Sequence, residues 1–408
     1  MSTKIISIVN RGVIFSILIT TVLFSQSWYL QNSNSAVQLK GIHMISQTTG
    51  WACGDAGTLL HTINAGTNWT SIVLTGSDLH QIVFKDEQTG VVVGDNGTVF
   101  TTTNSGLNWV SKNSATSDQL RGAAFAGGTT FYAVGDDGAA IKSTDDGNTW
   151  VALTSGTTER LLCVTGVGNN VWIGGRDGLM IYSNNGGSSF NQMTNPANDD
   201  IKDIQFINDQ IGFADGSNSA FMFTSNGGVN WDLRSAGIQV GLNGLHFVNE
   251  LQGWVVGGNG TLYATNNAGT SWSPLQSATN QDLNSIHTFD GINLWTVGNS
   301  GVISTNYSPA TGIERLDLDL PSSFIVEQNF PNPFNPNTKI RFGITGESNV
   351  LVEVYNITGQ KVAELINEKM SPGFYEVNFN AAQFSSGIYI YTVKTDMNSI
   401  TRKMTLLK

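Results

Sequence analysis

The sequence predicts an all-β protein, and composition, repetition and turn chemistry each favour that fold class. Glycine accounts for 46 of the 408 residues, proline for only 8, and charged residues make up 12% of the chain. This composition is typical of many short strands joined by tight turns. The length exceeds that of one typical domain, so more than one domain is expected.

An aromatic residue recurs every 40 or 41 residues over the first two thirds of the chain. The seven positions are Trp28, Trp69, Trp109, Trp150, Phe190, Trp231 and Trp272. Each interval contains an alternating strand, a fully apolar strand, a Gly-rich hairpin turn, a third strand and a second Gly-containing turn that leads to the aromatic residue. Four strands in a repeat of about 40 residues predict the blades of a β-propeller.

The apolar second strand carries a large side chain at one equivalent position of each repeat. These residues are Trp51, Val91, Tyr132, Trp172, Phe213, Trp254 and Trp295. An aromatic platform for a ligand is one interpretation. Apolar stripes at the repeat spacing are more often packing, so we expect a core between the blades.

The seventh repeat is incomplete, because the segment after Asn306 does not resemble the aromatic turn. The segment that begins Ser27-Trp28 does match the fourth strand of the sixth repeat, which begins Ser271-Trp272. We therefore predict a seven-bladed propeller closed by the N-terminal strand. Closure of this kind removes a sheet edge that would otherwise be exposed.

The turn before each aromatic residue carries a family resemblance. Residues 143–150, Ser-Thr-Asp-Asp-Gly-Asn-Thr-Trp, fit the Asp-box pattern of bacterial-neuraminidase-type repeats, with Asp145 at the Asp position. The other copies have Asn there: Asn64, Asn104, Asn185, Asn226 and Asn267. Together with the segment Gly50–Gly57, the repeat resembles photosystem II stability and assembly factor-like propellers over about residues 28–308. Such repeats occur in binding proteins and glycosidases alike, so the resemblance implies a fold more than a function.

The last hundred residues differ from the repeats and predict a small Ig-like antiparallel β-sandwich. Six alternating runs lie between residues 339 and 407, after a proline-rich start. The segment resembles a type A sorting domain of the type IX secretion system. The residues that carry this resemblance are Pro331, Asn332, Pro333, Phe334, Gly359, Gly387, Tyr389 and Lys408. An ordinary structural module, like the related sandwich of flagellar hook-capping proteins, is the alternative.

The N-terminus resembles an export signal. Lys4 and Arg11 flank an apolar run from Val13 to Phe24, and small residues follow it. An uncleaved anchor is the alternative, although the run is short for a membrane span. The predicted organisation is a signal peptide over residues 1–25, a propeller over 26–308, a linker over 309–321 and a sorting sandwich over 322–408.

The composition excludes some functions. Residues 28–308 contain 9 Lys and Arg against 21 Asp and Glu, a net charge of −12, so nucleic acid is not an expected partner. No Ser-His-Asp signature, phosphate-binding loop or metal-ligand spacing is present, and the arginines do not repeat as a sialidase would need. The many Asp residues in hairpin turns, such as Asp55, Asp95, Asp136 and Asp177, are interpreted as turn formers. Cys53 and Cys163 fall on different blades and are expected to be buried and unpaired.

These observations predict a non-catalytic binding or scaffold propeller, secreted or held on the outer surface of a Gram-negative bacterium. We expect no cofactor, an unidentified extracellular protein or glycan ligand, and contact with the type IX secretion machinery. The alternatives are a secreted glycan-active hydrolase of the Asp-box kind and a purely structural adhesion protein. Two carboxylates about 5–10 Å apart in a cleft would favour the hydrolase.

Three histidines occupy one equivalent position of the first strand in repeats one, six and seven: His43, His246 and His287. Neutral imidazoles are common metal ligands, so a metal site is one hypothesis. Equivalent positions on adjacent blades are expected to lie too far apart for one ion with bonds of about 2.1 Å. Packing between the blades is therefore the preferred interpretation, with no metal.

Overall fold

The computed structural model describes residues 28–234, 237–307, 314–316, 320–381 and 384–407. The predicted signal peptide, residues 1–25, lies outside the described residues, as does Lys408. Within the described part, seven four-stranded antiparallel sheets follow one another, and two further four-stranded sheets form the C-terminal region. We number the first seven sheets 1 to 7 in chain order of their first strands.

Each numbered sheet is a meander of four strands. The first strands are Leu39–Met44, Leu79–Phe84, Leu120–Gly127, Leu161–Val167, Ile201–Phe206, Leu242–Phe247 and Leu283–Thr288. The second strands are Gly50–Gly54, Gly90–Gly94, Thr130–Gly135, Asn170–Gly175, Gly212–Gly216, Gly253–Gly257 and Leu294–Gly298. The third strands are Thr58–Thr62, Val99–Thr102, Ala140–Ser143, Met180–Ser183, Phe221–Thr224, Leu262–Thr265 and Ile303–Thr305. The fourth strands of sheets 1 to 6 are Thr70–Val73, Val110–Ser111, Val151–Ala152, Asn191–Gln192, Asp232–Leu233 and Ser273–Pro274.

The fourth strand of sheet 7 comes from the other end of the repeat region. Tyr29–Gln31 pairs antiparallel with Ile303–Thr305, with Tyr29 opposite Thr305 and Gln31 opposite Ile303. Trp28 precedes this strand and is only 7% exposed, because it packs with Trp254 between sheets 6 and 7. The N-terminal strand therefore completes the last sheet.

A short 3₁₀ turn joins the second and third strands in six of the sheets. Its bounds are Asp55–Gly57, Asp136–Gly138, Arg176–Gly178, Ser217–Ser219, Gly258–Gly260 and Asn299–Gly301. In sheet 1, Ala56 and Gly57 both have positive φ, at 53° and 65°. A Cβ atom on Gly57 would lie 1.9 Å from the carbonyl oxygen of Thr75, so only glycine fits there.

The apolar core lies between neighbouring sheets. Seven clusters of buried side chains each join one sheet to the next, and one of them joins sheet 7 to sheet 1. The large second-strand side chains that were predicted to form an inter-blade core are all buried in these clusters, so that prediction is confirmed. The first strands of consecutive sheets also contact one another, including those of sheets 7 and 1.

The C-terminal region contains eight strands where the sequence predicted six. One sheet pairs Glu314–Leu316, Gly373–Asn380, Asn337–Ile344 and Ile325–Val326 in that order. The other pairs Lys361–Met370, Ser348–Asn356, Gly387–Lys394 and Ser399–Leu406. Their apolar side chains form one shared core.

The described part of the predicted linker departs from expectation. Glu314–Leu316 is a strand that pairs with Phe374–Glu376, so this part of residues 309–321 belongs to the sandwich. Three residues were too short a run to be recognised in the sequence. Among the described residues, no helix has both the length and the apolar character that crossing a membrane requires.

Candidate functional site

The first strands bring seven side chains, one from each sheet, around a single cavity of about 140 Å³. We call these residues the first ring: Lys40, His80, Arg121, Leu162, Lys202, Asn243 and Asn284. The pairing register of the first strand is irregular at this position in all seven sheets, as in a β-bulge, which re-aims the side chain. The cavity is predominantly polar, with Leu162 as an apolar exception among the ring residues.

The basic members of the first ring are held by carboxylates. Lys40 Nζ lies 2.6 Å from Asp55 Oδ1 and 3.0 Å from Asp78 Oδ2. Burial alone would lower the pKa of Lys40, but the hydrogen bonds and charges of these two aspartates outweigh it and raise that pKa. The cavity therefore contains compensated charge and does not expose a free ammonium group.

The same pairing recurs in the next two sheets. His80 Nε2 lies 2.5 Å from Asp95 Oδ1, and Arg121 binds Asp136. Burial lowers the pKa of His80, partly offset by Asp95. Burial favours the neutral form of Asp136, but Arg121 and Arg160 outweigh it and lower its pKa.

These contacts correct the interpretation of the hairpin aspartates as turn formers alone. Asp55, Asp95 and Asp136 use their side chains to hold ring residues of their own sheets. Asp177 differs, because it occupies the following position of the turn, with φ of 51°. Arg176 stands at the position of the other three, and a shift of one residue relative to the other repeats is the sequence feature that indicates this difference.

The amide members of the first ring join neighbouring sheets. Asn243 Nδ2 donates to Leu283 O at 2.9 Å, from sheet 6 to sheet 7. Asn284 Nδ2 donates to Leu39 O at 2.7 Å, from sheet 7 to sheet 1. Sheets 7 and 1 are thus joined by the same side-chain-to-backbone hydrogen bond that joins sheets 6 and 7.

The three predicted histidines lie together, three residues further along the first strands. The ring centroids of His43 and His287 are 4.1 Å apart, and those of His246 and His287 are 4.6 Å apart. The sequence argument expected these positions to lie too far apart for one metal ion; the rings nevertheless contact one another, because the first strands of sheets 6, 7 and 1 lie side by side. His287 Nδ1 accepts a hydrogen bond of 3.2 Å from the Met44 N–H across the junction of sheets 7 and 1.

Burial keeps these imidazoles neutral. It lowers the pKa of His43 to about 3, assisted by the neighbouring His246, and lowers the pKa of His246 to about 4. It also lowers the pKa of His287 well below the usual value, assisted by both neighbours. Among the residues that the structure describes, no group of three or more histidine, cysteine or carboxylate side chains is arranged to hold a metal ion.

A buried carboxyl pair in sheet 5 was not identified from the sequence. Asp203 and Asp215 face each other on the first and second strands. Burial raises the pKa of Asp203 to about 6, although Leu245 and Ile204 donate backbone hydrogen bonds to it. Asp215 is fully buried, and neither of its oxygens has a hydrogen-bond partner of normal geometry among the described residues. Burial, with the Asp203 charge, raises the pKa of Asp215 well above the usual value, although the Asp203 backbone N–H partly offsets this shift. Asp215 can nevertheless be recognised in the sequence, because the equivalent second-strand position is valine in four other sheets. These residues are Val93, Val134, Val256 and Val297.

The Asp-box residues form turns in six sheets. In sheet 3, Asp145 Oδ1 accepts from the Thr149 N–H at 2.8 Å, and Ser143 Oγ accepts from the Gly147 N–H at 2.9 Å. The backbone N–H and the hydroxyl of Thr149 both donate to the Asp145 carboxyl, and these two hydrogen bonds lower its pKa. The aromatic residues that follow pack against the preceding sheet: Trp28, Trp69, Trp109, Trp150, Phe190, Trp231 and Trp272.

The two cysteines lie on the predicted strands. Cys53 is on the second strand of sheet 1, and Cys163 is on the first strand of sheet 4. Both are buried free thiols, and burial raises the pKa of Cys53 to about 12. Neither thiol is prepared for nucleophilic chemistry.

The predicted sorting residues meet at one end of the sandwich, although they span most of its sequence. The Phe334 N–H donates to Thr405 O at 2.9 Å, and the Leu407 N–H donates to Phe334 O at 2.9 Å. Asn332 Oδ1 accepts from the Thr405 N–H at 2.9 Å. The proline-rich start of the domain is therefore fastened to its last strand.

The other two sorting motifs lie at the same end. Tyr389 stands opposite Asn356 on one side and Met404 on the other. Asn356 begins the turn that contains Gly359, whose φ is 81°. Three apolar side chains near this end are exposed to solvent: Ile357, Ile388 and Leu407.

Comparisons with known proteins agree with this architecture. Residues 328–406 match the family model of the secretion system C-terminal sorting domain, and residues 25–122 match that of the photosynthesis system II assembly factor YCF48. The chain joins a β-propeller to a secretion-sorting domain. The sorting domain marks it as a secreted or cell-surface protein that uses a type IX export system.

Solved structures resemble the propeller in fold. YCF48 bound to D1 peptide has a TM-score of 0.58 at 17% identity, over 69% of this chain and 97% of that one. YCF48 from Cyanidioschyzon merolae has a TM-score of 0.56 at 17% identity, over 68% and 98%. The RRP9 WD40 repeats reach 0.57 at 10% identity, over 69% and 97%. No curated protein matches the chain in sequence.

Proposed function

We propose that the chain is a non-catalytic binding propeller of seven blades, closed by its N-terminal strand and exported to the outer surface of a Gram-negative bacterium. The observation that carries closure is the first ring, since one side chain from every sheet lines the same cavity. The hydrogen bond from Asn284 to Leu39 O supports it, because it repeats the bond from Asn243 to Leu283 O.

The state of the polar groups supports a binding role over catalysis. The basic groups Lys40, His80 and Arg121 are each bonded to a carboxylate. The cavity they line, at about 140 Å³, is smaller than ordinary ligand pockets of about 300–1,000 Å³. A general acid or base needs access to a substrate, which this arrangement does not offer.

The glycan-hydrolase alternative requires a carboxylate pair that a sugar can reach. Asp203 and Asp215 do form a pair, and the pKa of each is raised, as a general acid requires. Asp215, however, has no exposed surface, so no glycosidic oxygen could reach it. We therefore interpret this buried pair as a feature that lowers the stability of the fold and does not act in catalysis.

The partner that we propose is a polypeptide. A similar propeller, YCF48, has been solved with D1 peptide bound, and this supports a polypeptide partner for the present propeller. The net charge of −12 over residues 28–308 favours a neutral or basic segment over an acidic one. A glycan partner remains the second candidate, favoured by the Asp-box repeats alone.

We propose domain boundaries close to those expected from the sequence: a signal peptide over residues 1–25, a propeller over 26–308 and a sorting sandwich to the C-terminus. The strand Glu314–Leu316 extends the sandwich towards the propeller. We further propose that the end that holds Asn332, Phe334 and Leu407 is the surface that the type IX machinery recognises, because it unites motifs from both ends of the domain.

The test uses the full-length secreted protein, purified and applied in parallel to polypeptide and glycan arrays and to a panel of chromogenic glycosides. We expect saturable binding to polypeptides and no turnover of any glycoside. Turnover that is lost in Asp203→Asn would reverse the assignment in favour of the hydrolase. Binding to glycans alone would leave the propeller a binding protein but overturn the proposed class of partner.

A further inference from the structure

Six of the seven sheets share the Asp-box turn, and each turn is fastened to its own sheet by the same backbone hydrogen bond. The turn N–H donates to a carbonyl in the loop between the first and second strands. The pairs are Ala65 to Thr48, Ser105 to Gln88, Asp146 to Thr129, Gly186 to Asn169, Gly227 to Gln210 and Ala268 to Leu251. The turn is thus a fixed part of each of these sheets.

The turn of one sheet covers the second-strand side chain of the sheet before it. Gly106 of sheet 2 lies so close to Trp51 that a Cβ atom would be 2.1 Å from the indole. Trp172 Nε1 donates to Gly227 O at 2.9 Å, and Trp295 Nε1 donates to Ala65 O at 3.3 Å. The turn of the next sheet therefore covers all three tryptophans and accepts the indole N–H of two of them, whereas Trp51 Nε1 has no partner among the described residues.

Sheet 7 lacks this turn in its described residues, because its third and fourth strands come from opposite ends of the repeat region. Asn306 follows the third strand, and its Nδ2 donates to Ile292 O at 2.9 Å. Ile292 occupies the position of Thr48 and Leu251, so the Asn306 side chain takes over the bond that a turn N–H makes elsewhere. The bond is kept, but no described residue supplies the bulk of the turn.

A cavity of about 640 Å³ lies between sheets 6 and 7, beside Trp254. Trp254 is only 3% exposed, and its Nε1 forms no hydrogen bond to a described residue; this nitrogen is not among the fully buried unpaired atoms of the described residues, so it is open to the cavity. The unused donor lines the cavity at the place where the turn of the next sheet would otherwise lie.

We infer that this cavity is the site where the propeller binds its polypeptide partner, and that the partner inserts a tight glycine-containing turn in place of the missing seventh Asp-box turn. The inference rests on the proposed binding function and assigns it a site and a chemistry. A backbone carbonyl of the inserted turn accepts from Trp254 Nε1. The volume is in the range of about 300–1,000 Å³ that ligand sites occupy.

The lining indicates the character of the inserted segment. Phe289 and Ile292 are 53% and 61% exposed at the cavity, which suits an apolar side chain beside the turn. Asn249 and Gln252 supply amides for backbone groups. Asp290 is the only charged side chain among the described lining residues, so an acidic partner segment is disfavoured.

The experiment follows the Trp254 indole resonance by ¹⁵N NMR in the full-length protein, with a synthetic peptide of the sequence of residues 265–271 as the probe. This peptide contains the chain's own Asp-box turn without its tryptophan. We expect a saturable downfield shift of the Trp254 indole proton, absent in Trp254→Phe. The matched control is Trp172→Phe, whose indole already donates to Gly227 O, and it should bind the peptide as the wild type does.

Three outcomes would overturn the inference. They are an unchanged Trp254 resonance at millimolar peptide, a shift produced by neutral oligosaccharides instead, and binding that appears only after residues 308–313 are replaced by a glycine-serine segment of equal length. The last result would mean that the chain itself fills the site. Polypeptide capture on an array that Trp254→Phe leaves unchanged would remove the site assignment alone, whereas absence of any polypeptide binding would also remove the proposed function.

Discussion

The indole nitrogen of Trp295 donates to the carbonyl oxygen of Ala65 over 3.3 Å, although 230 residues separate the two in sequence. This bond joins the last sheet to the first and repeats the contact between Trp172 and Gly227. The same hydrogen bond therefore joins two sheets that are consecutive in sequence, sheets 4 and 5, and two sheets from opposite ends of the repeat region, sheets 7 and 1. The predictions below test the contacts on which this arrangement depends.

Replacing Trp28 by alanine should lower the free energy of unfolding by about 3–5 kcal/mol, the usual cost of removing a buried large aromatic side chain. Trp28 is 7% exposed and packs with Trp254, although it lies near the N-terminus. Chemical denaturation of both proteins measures the change. Trp150→Ala, at the equivalent position of sheet 3, is the control and should cost a similar amount. A negligible effect of Trp28→Ala beside a large effect of Trp150→Ala would contradict closure by the N-terminal strand.

Asp215→Val should raise the free energy of unfolding by about 1–3 kcal/mol, because it removes a buried carboxyl group that has no hydrogen bond of normal geometry to a described residue. The pKa of Asp215 is raised in the folded state, so the unfolded state ionises first as the pH rises above about 4. The stability gain of the variant should therefore grow with pH, and denaturation at pH 5 and pH 8 measures it. The reverse change in sheet 6, Val256→Asp, should destabilise in the same pH-dependent manner. An Asp215→Val protein that is less stable at pH 8 would show that the carboxyl has a favourable partner.

His287→Gln should make the protein less sensitive to acid. Folding lowers the pKa of His287, so its contribution to stability is complete above about pH 6.5 and falls as the pH decreases towards the folded value. Glutamine at this position can keep the bond to the next sheet, as Gln205 does when it accepts from the Phe247 N–H at 2.7 Å. Thermal unfolding between pH 7 and pH 4 measures the slope. His61→Gln, outside the histidine group, is the comparison: burial lowers the pKa of His61 as well, but no neighbouring histidine adds to that effect, so its slope should change less. Equal slopes for wild type and His287→Gln would refute the assignment.

Asn332→Ala should reduce export while costing only about 1 kcal/mol of sandwich stability, the worth of a typical hydrogen bond. The change releases the proline-rich start from the last strand without altering an apolar core residue. Immunoblots of cell-associated and secreted fractions measure export. Asn349→Ala removes a bond to Asp396 at the opposite end of the same sheet and is the matched control. Equal export of both variants would remove the case for a recognition surface at this end.

The repeats allowed the strands, the inter-sheet aromatic core and the turns to be predicted, because these features depend on local pattern and side-chain type. The contacts of the first ring could not be predicted, since a turn aspartate such as Asp55 is favoured for backbone reasons whether or not its side chain also binds Lys40. The proximity of His43, His246 and His287 depends on how closely the first strands converge, which sequence spacing does not define. Asp215 could have been found, because it replaces valine at a position that the repeats themselves define.

The pairing of Tyr29–Gln31 with Ile303–Thr305 has a consequence for the order of assembly. The strand that is synthesised first has no hydrogen-bonding partner until the last repeat has been made, so the sheet that contains both ends is the last to form. Contacts between such distant segments form slowly, because the entropy lost in closing a long loop is offset only after the two strands have paired. Until the last repeat has been made, Tyr29–Gln31 has no strand to pair with, so this sheet is incomplete for longer than any sheet built from consecutive strands.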